Sequence, residues 1–388
     1  MASTSTLTLL YRYLRRPDKV GAMVCLLGAL VRQESPSTNK AAVDRLARAL
    51  DREWRRRGAR VRLLRSRNVG AILRAEIVLG RSRPQGQLLV LGHLDTVYEL
   101  GTLKRIPFRV RGDRAYGPAT VDMKSGLVQA LFAVAALKEL GLAPARKIVF
   151  LFTSDEEIGS ALGRPVVERE ARRSEAVLVL EPASGLQGAL KTARKGVGEF
   201  ELVVEGRAAH AGIEPEKGVS ATEELAAQLV RIKHLARPTR GLTLNVGMIE
   251  GGTRTNVVAE PARALVDVRI ARRADGPWIE RRMRALRPVN RRARLRVTGG
   301  INRPPLEHTA AVTRLFHHAQ RLARTLGFRL EESSTGGGSD GNFTAALGVP
   351  TLDGLGGVGG GAHSPGEFVL VRRMPERAAL LAGLLLTL

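Results

Sequence analysis

Apolar residues recur at helical spacing from Asn39 to Arg57 (Ala42, Val43, Leu46, Ala49, Leu50, Trp54), a pattern that predicts an amphipathic helix. Three short apolar runs follow, Gln87 to Leu91, Lys147 to Thr153 and Ala176 to Leu180, and each reads as a buried strand. A helix from Ser125 to Leu140, stopped at Gly141, separates the first two. Strand, helix and strand at this spacing predict a parallel sheet with crossover connections. Between about Lys191 and Gly300 the pattern changes to alternating strands (Gly198 to Val204, Leu242 to Gly247, Arg263 to Ile270, Arg294 to Thr298) with helices Ala221 to Leu235 and Pro277 to Leu286. After it come a helix, Ala310 to Gly327, and glycine-rich turns around an apolar segment. The predicted architecture is therefore an α/β catalytic domain with a mostly parallel sheet and helices on both faces, over 1–190 and 301–388. A smaller α+β lid or dimerisation domain over 191–300 interrupts it.

With 388 residues, 44% of them hydrophobic, the chain is sized for two ordinary globular domains. Its 62 basic residues against 37 acidic ones leave a net charge of +25. Nucleic-acid binders concentrate such charge and interleave aromatics for stacking, whereas here arginine is spread along the chain and aromatics make up 4%. The charge reads as a solvated surface that attracts anions, and no specific nucleic-acid partner is expected. The lone Cys25 excludes a disulfide-stapled scaffold. The stretch Gly21 to Val31 imitates a signal peptide but lacks a cleavage pattern, and no run along the chain, the apolar tail Ala378 to Leu388 included, reaches the length of a membrane span. No membrane partner and a cytoplasmic location are the expectations.

Candidate chemistry collects where the three strands end: GHLDTV after the first, TSDEEIGS after the second and EPAS after the third. In open α/β sheets ligands sit in the crevice beyond the carboxyl ends of the strands. His93 in HLD is a candidate metal ligand, with Asp95 placed to accept its other imidazole N–H. Asp122 precedes the Ser125 helix, where a lone aspartate is also an ordinary cap. The adjacent pair Glu156 and Glu157 would repel unless a cation or proton is shared, so one can ligate while the other takes a proton from metal-activated water. An exposed acidic turn is the plain alternative. Glu181 closes the third strand, and His363 lies in a late loop. Two histidines and three carboxylates form a nitrogen and oxygen donor set suited to Zn²⁺, with Co²⁺ or Mn²⁺ as substitutes.

With GHLDTV, YGPATVDMKSG, TSDEEIGS, GRAAHAG and GGGSDG in this order, the sequence resembles the dinuclear-metal amidohydrolases that include glutamate carboxypeptidase, acetylornithine deacetylase and succinyl-diaminopimelate desuccinylase. The resemblance runs from about Leu30 to the C-terminus, and GHLDTVYELG with PFRVRGDRAYGP brings it nearest the glutamate carboxypeptidase branch. It implies two zinc ions per chain, one held by His93, Asp122 and Glu181 and the other by Asp122, Glu157 and His363. Asp122 would bridge them, followed by a cis peptide to Met123. Glu156 would be the general base and Asp95 would orient His93. The lid would form a homodimer and send His210 into the partner's active site. Asn256, Arg269, Gly337 and Gly338 match positions associated with substrate contact. After Thr298 the tract GGINRPP departs from the family pattern; Arg303 is the arginine left for a substrate carboxylate, which leaves side-chain preference open. The implied activity is a metallo-carboxypeptidase that cleaves an amide bond beside a free carboxylate in a small peptide. An N-acyl-amino-acid deacylase is the alternative, and a catalytically silent protein is disfavoured by the intact donor set.

Overall fold

The computed structural model describes residues 4–80 and 83–388. The chain divides into two compact units, one formed by Met1–Ala193, His308–Ser334 and Ser339–Leu388, the other by Arg194–Glu307 and Thr335–Gly338.

The first unit is built on a six-stranded sheet. Its strands are β1 (Arg60–Leu64), β2 (Ile72–Ile77), β3 (Gln87–His93), β4 (Lys147–Thr153), β5 (Ala176–Val179) and the short Thr351–Leu352. They lie in the order β1-β2-β4-β3-β5 with Thr351–Leu352 outermost. β3 runs parallel to both β4 and β5, and Thr351–Leu352 runs parallel to β5. β1 and β2 form an antiparallel margin joined to β4.

Strands buried on both faces read as continuous apolar runs, and every residue of β3 is buried. Their side chains alternate between two cores. Leu88, Val90, Phe150, Phe152 and Leu178 face the larger core, where Trp54 of helix Lys40–Arg56 stacks 4.2 Å from the Phe150 ring. Leu89, Leu91, Val149, Leu151, Val177 and Val179 face a smaller core with Val167, Ala171 and Phe343. The sheet is thus covered on both sides. Helix Lys40–Arg56 begins where its sequence predicts, with the Asn39 side chain accepting from Ala42 N at 3.0 Å.

One expectation is corrected. The run Thr120–Glu139 has 20 residues, and an 18-residue window within it has a mean hydropathy of 1.3, so by length and composition it could cross a bilayer. It does not need to, because 89% of that window is buried inside the fold. A helix apolar all round is a core helix here. Gly126 fits this packing: a Cβ on it would lie 2.5 Å from the Leu180 carbonyl oxygen, directly before Glu181.

The second unit carries a four-stranded antiparallel sheet made of β6 (Gly196–Glu205), β7 (Thr243–Gly251), β8 (Pro261–Ile270) and β9 (Arg294–Arg303), in the order β7-β8-β6-β9. Alternate residues of β6 and β8 are buried against helices Ala221–Lys233 and Asp275–Arg284, in a core with Phe200, Leu202, Val266, Val268 and Ile279.

Candidate metal centre

The parallel strands of the first unit end in the residues that matter. His93 is the last residue of β3, Glu156 and Glu157 form a short turn after β4, and Glu181 follows β5. Asp122 sits in a non-helical kink ahead of Ser125–Glu139, with the Asp122–Met123 peptide in the cis form, and His363 stands in a late loop at φ +62°. The kink is tied to β3 through His93 N, which donates to Met123 Sδ at 3.2 Å.

Each imidazole touches two carboxylates. His93 Nε2 lies 3.3 Å from Asp122 Oδ1 and 3.4 Å from Glu181 Oε1. His363 Nε2 lies 3.4 Å from Asp122 Oδ2 and 3.4 Å from Glu157 Oε2. Asp122 therefore turns one oxygen to each histidine. The carboxylate of Glu156 joins His93 and Glu181 in a group of donor atoms within 4.8 Å of one another, as does that of Glu157 with His93 and Asp122.

These separations are too long for charge-assisted hydrogen bonds, which close to about 2.7–2.9 Å. They match the spacing of two ligands on one ion: tetrahedral bonds of roughly 2.0–2.1 Å put ligand atoms about 3.3–3.4 Å apart. Two buried carboxylate oxygens, Asp122 Oδ1 and Glu157 Oε1, have no hydrogen-bond partner among the described residues. Buried acceptors left this way are costly unless a cation satisfies them. The electrostatics agree. Burial works to lower the pKa of His93, yet Asp122 and Glu181 outweigh it and push it well above the ordinary value. Asp122 and Glu157 push His363 up to about 10. Burial would raise Asp122, but His363 and His93 hold it below the usual carboxylate range. Such an excess of buried negative charge suits cations, and the residues present fit a pair of them.

Asp95 differs from its expected part. His93 Nδ1 lies 2.9 Å from the Asp95 backbone carbonyl and 3.6 Å from its carboxylate. That carboxylate instead accepts from Ser37 Oγ at 2.8 Å and from the backbone N–H groups of Glu156 and Glu157 at 3.2 and 3.1 Å. Burial raises its pKa to about 6. The Asp95 main chain thus meets His93, and its side chain meets the backbone of the glutamate pair.

The remaining candidates lie in the second unit and fall into two places. His210 is exposed, and its Nδ1 accepts from Gly212 N and Ile213 N, both at 3.1 Å, which leaves the proton on Nε2. Its neighbour is the Asn256 segment, whose carbonyl accepts from Ala211 N at 2.9 Å. Elsewhere in that unit Arg269 pairs with Asp267 at 2.9 Å and donates to Gly336 O at 3.2 Å. Arg303 is buried, and its Cδ would lie 3.0 Å from a Cβ on Gly338. Arg194, which the sequence reading passed over, donates to the carbonyls of Gly337 and Gly338 at 3.3 and 3.0 Å. Its only signal is a basic TARKG tract before a strand.

The model of peptidase family M20/M25/M40 matches residues 89–387. Carboxypeptidase G2 of Pseudomonas sp. (strain RS-16) is 31% identical over 379 residues, which cover 96% of this chain and 90% of that protein. Among solved structures, the aminopeptidase PepT of Bacillus cereus superposes with a TM-score of 0.81 at 22% identity, covering 95% of this chain and 98% of that one. The Bacillus subtilis YXEP protein, described as a dinuclear metal binding peptidase, gives 0.68 at 13% identity over 95% and 97% of the two chains.

Proposed function

Since this chain belongs to peptidase family M20/M25/M40, a family of metal-dependent peptidases, we propose that it is a dinuclear metallo-carboxypeptidase of the glutamate carboxypeptidase kind. The observation that carries the dinuclear reading is Asp122, with one oxygen 3.3 Å from His93 and the other 3.4 Å from His363. His93 and Glu181 would hold one ion, Glu157 and His363 the other, and Asp122 would bridge. Zinc suits this nitrogen and oxygen set, with cobalt or manganese as replacements. When bound, such ions lower the pKa of water and polarise a carbonyl oxygen.

The chain's own residues do the rest. Glu156, 9% exposed, takes the proton of the attacking water and hands it to the departing amine. Asp95 keeps that glutamate in place through its backbone N–H. His210, with Nε2 protonated, is suited to donate to the oxygen that gains charge at the scissile carbon. Arg194, Arg269 and Arg303, gathered at the Gly336 to Gly338 segment, are suited to a substrate carboxylate.

The same reading makes the protein a homodimer through its second unit, with His210 serving the partner's site, and places it in the cytoplasm. β7 is an edge strand whose Met248 and Ile249 are exposed, as is Val230 on helix Ala221–Lys233. An apolar edge strand is a liability that a second copy would cover.

Metal-loaded protein assayed on N-acyl dipeptides with C-terminal Glu, Leu or Lys and on N-acyl amino acids tests the activity. Release of C-terminal glutamate at the highest kcat/KM is expected. Turnover confined to N-acyl amino acids would replace the carboxypeptidase with a deacylase, and no turnover of either class would overturn the proposal.

A further inference from the structure

Glu367 lies in the same loop as His363, four residues on, and is 1% exposed. Its Oε1 accepts from Val121 N at 2.8 Å and Asp122 N at 3.0 Å. Oε2 accepts from Ala119 N at 2.9 Å and from the Tyr98 hydroxyl at 2.6 Å. The Tyr98 hydroxyl also stands 2.9 Å from the carbonyl of Ser364, next to His363. Gly117 N donates to the Glu367 carbonyl at 3.1 Å. One buried carboxylate thus takes up three backbone donors of the Asp122 loop while its own main chain belongs to the His363 loop.

Both loops need such a tie. Ala119 is held at φ +58° and His363 at φ +62°, a region that residues with a Cβ seldom adopt and that persists only where surroundings fix it. Without an acceptor, the buried N–H groups at Ala119, Val121 and Asp122 would be orphaned. The carboxylate touches neither imidazole and has no place in the proton transfer assigned to Glu156.

Resting on the dinuclear reading above, we propose that Glu367, with Tyr98, is a positioning residue that sets the loop of the shared ligand Asp122 against the loop of His363, so that both metal sites depend on it together. A group that held only His363 would affect one site. Because Asp122 faces both histidines, a shift of its loop disturbs both.

Glu367→Gln keeps the volume but turns an amide N–H₂ toward backbone N–H donors. Wild type and variant, stripped and reloaded with Zn²⁺ or Co²⁺ against a competing chelator, report affinity at each site, and the Co²⁺ absorption bands at full loading report geometry. With far-ultraviolet circular dichroism of the stripped proteins unchanged, both affinities should fall about tenfold to a hundredfold, the range seen when the supports of metal ligands are removed. The Co²⁺ bands should shift as well. Affinities and bands within twofold of wild type, whatever happens to the melting temperature, would reduce Glu367 to an ordinary structural residue and overturn the proposal. Should Glu367→Gln fail to fold, Tyr98→Phe decides: it removes one hydroxyl and should weaken both sites about threefold to tenfold, and unchanged affinity would overturn the proposal equally. A wild type that takes up fewer than two ions would refute the dinuclear reading itself. Two ions in the wild type with unaltered variants would refute only the role of Glu367.

Discussion

The two units place most of their candidate residues under opposite physical conditions, with His363 half-exposed in the first and Arg303 buried in the second as the exceptions. In the first, His93, Asp95, Asp122, Glu156, Glu157 and Glu181 are buried or nearly so, and like charges crowd one another at strand ends. In the second, His210 and Asn256 are exposed and rest on backbone contacts. Buried charges this close must be compensated, so the first group constrains its own chemistry even without a ligand. Exposed side chains carry no such constraint, and what they do depends on what comes to meet them.

The sharpest way to break this contrast is Asp122→Ala. Both histidines face this one carboxylate, so its loss should empty both sites and abolish turnover. Elemental analysis checks the metal content. A variant that retains one tightly held ion would mean that the sites are independent and that Asp122 is no bridge.

Next in size is the separation of two adjacent glutamates. Glu156→Gln should keep both ions and lose about a hundredfold to ten-thousandfold in kcat, the usual worth of general base catalysis. Glu157 Oε2 stands 3.4 Å from His363 Nε2, so Glu157→Gln should weaken metal retention instead. Metal content and single-turnover rates on the two variants decide it. Exchanged phenotypes would shift the assignment by one residue.

The first unit was also the more legible in sequence. Apolar runs such as Lys147 to Thr153 announce strands because a sheet covered on both faces needs no polar side chain, and the candidate ligands follow because ligands of open α/β sheets sit where the strands stop. The antiparallel margin is illegible because RVRLL, the edge strand, and ILRAEI beside it are short and mix arginine and glutamate among their apolar residues. Helix Thr4–Leu14 escaped for a related reason: its threonines are poor helix formers, and packing supplies what propensity does not. Which atom of Asp95 supports His93 is invisible to sequence, since carbonyl and carboxylate belong to one residue. Glu367 gives no signal either, being a single acid in a glycine-rich stretch whose donors lie 245 to 269 residues away. In the second unit, periodicity located the strands, whereas the parts given to His210, Asn256 and Arg269 came from resemblance alone.

A third experiment asks whether the exposed group reaches a partner. If His210 serves the other subunit, Glu156→Gln and His210→Ala homodimers should each be nearly inactive. A mixed dimer joins an intact Glu156 with an intact His210 in one of its two sites. With free exchange at equal ratio, half the dimers are mixed and half their sites work, so activity should recover to about a quarter of wild type. Heterodimers verified by mass spectrometry yet as inactive as their parents would confine His210 to its own chain.

The smallest effect concerns the charge common to both units. A net +25 sets up a positive field around the whole molecule, and a C-terminal glutamate carries one more negative charge than a C-terminal leucine at neutral pH. Long-range steering acts on that extra charge, and salt removes it because the screening length falls from about 30 Å at 0.01 M to about 10 Å at 0.1 M. Close contacts inside a site are screened far less. The ratio of kcat/KM for the Glu substrate over the Leu substrate should therefore fall about twofold to fivefold across that salt range and then level off at the part owed to direct contact. A ratio that does not move with salt would assign all discrimination to local side chains such as Arg269 and Arg303, leaving the surface charge without a part in catalysis. A ratio that falls all the way to one would say the reverse, that the arginines of the second unit make no selective contact and that glutamate is favoured only on its way in.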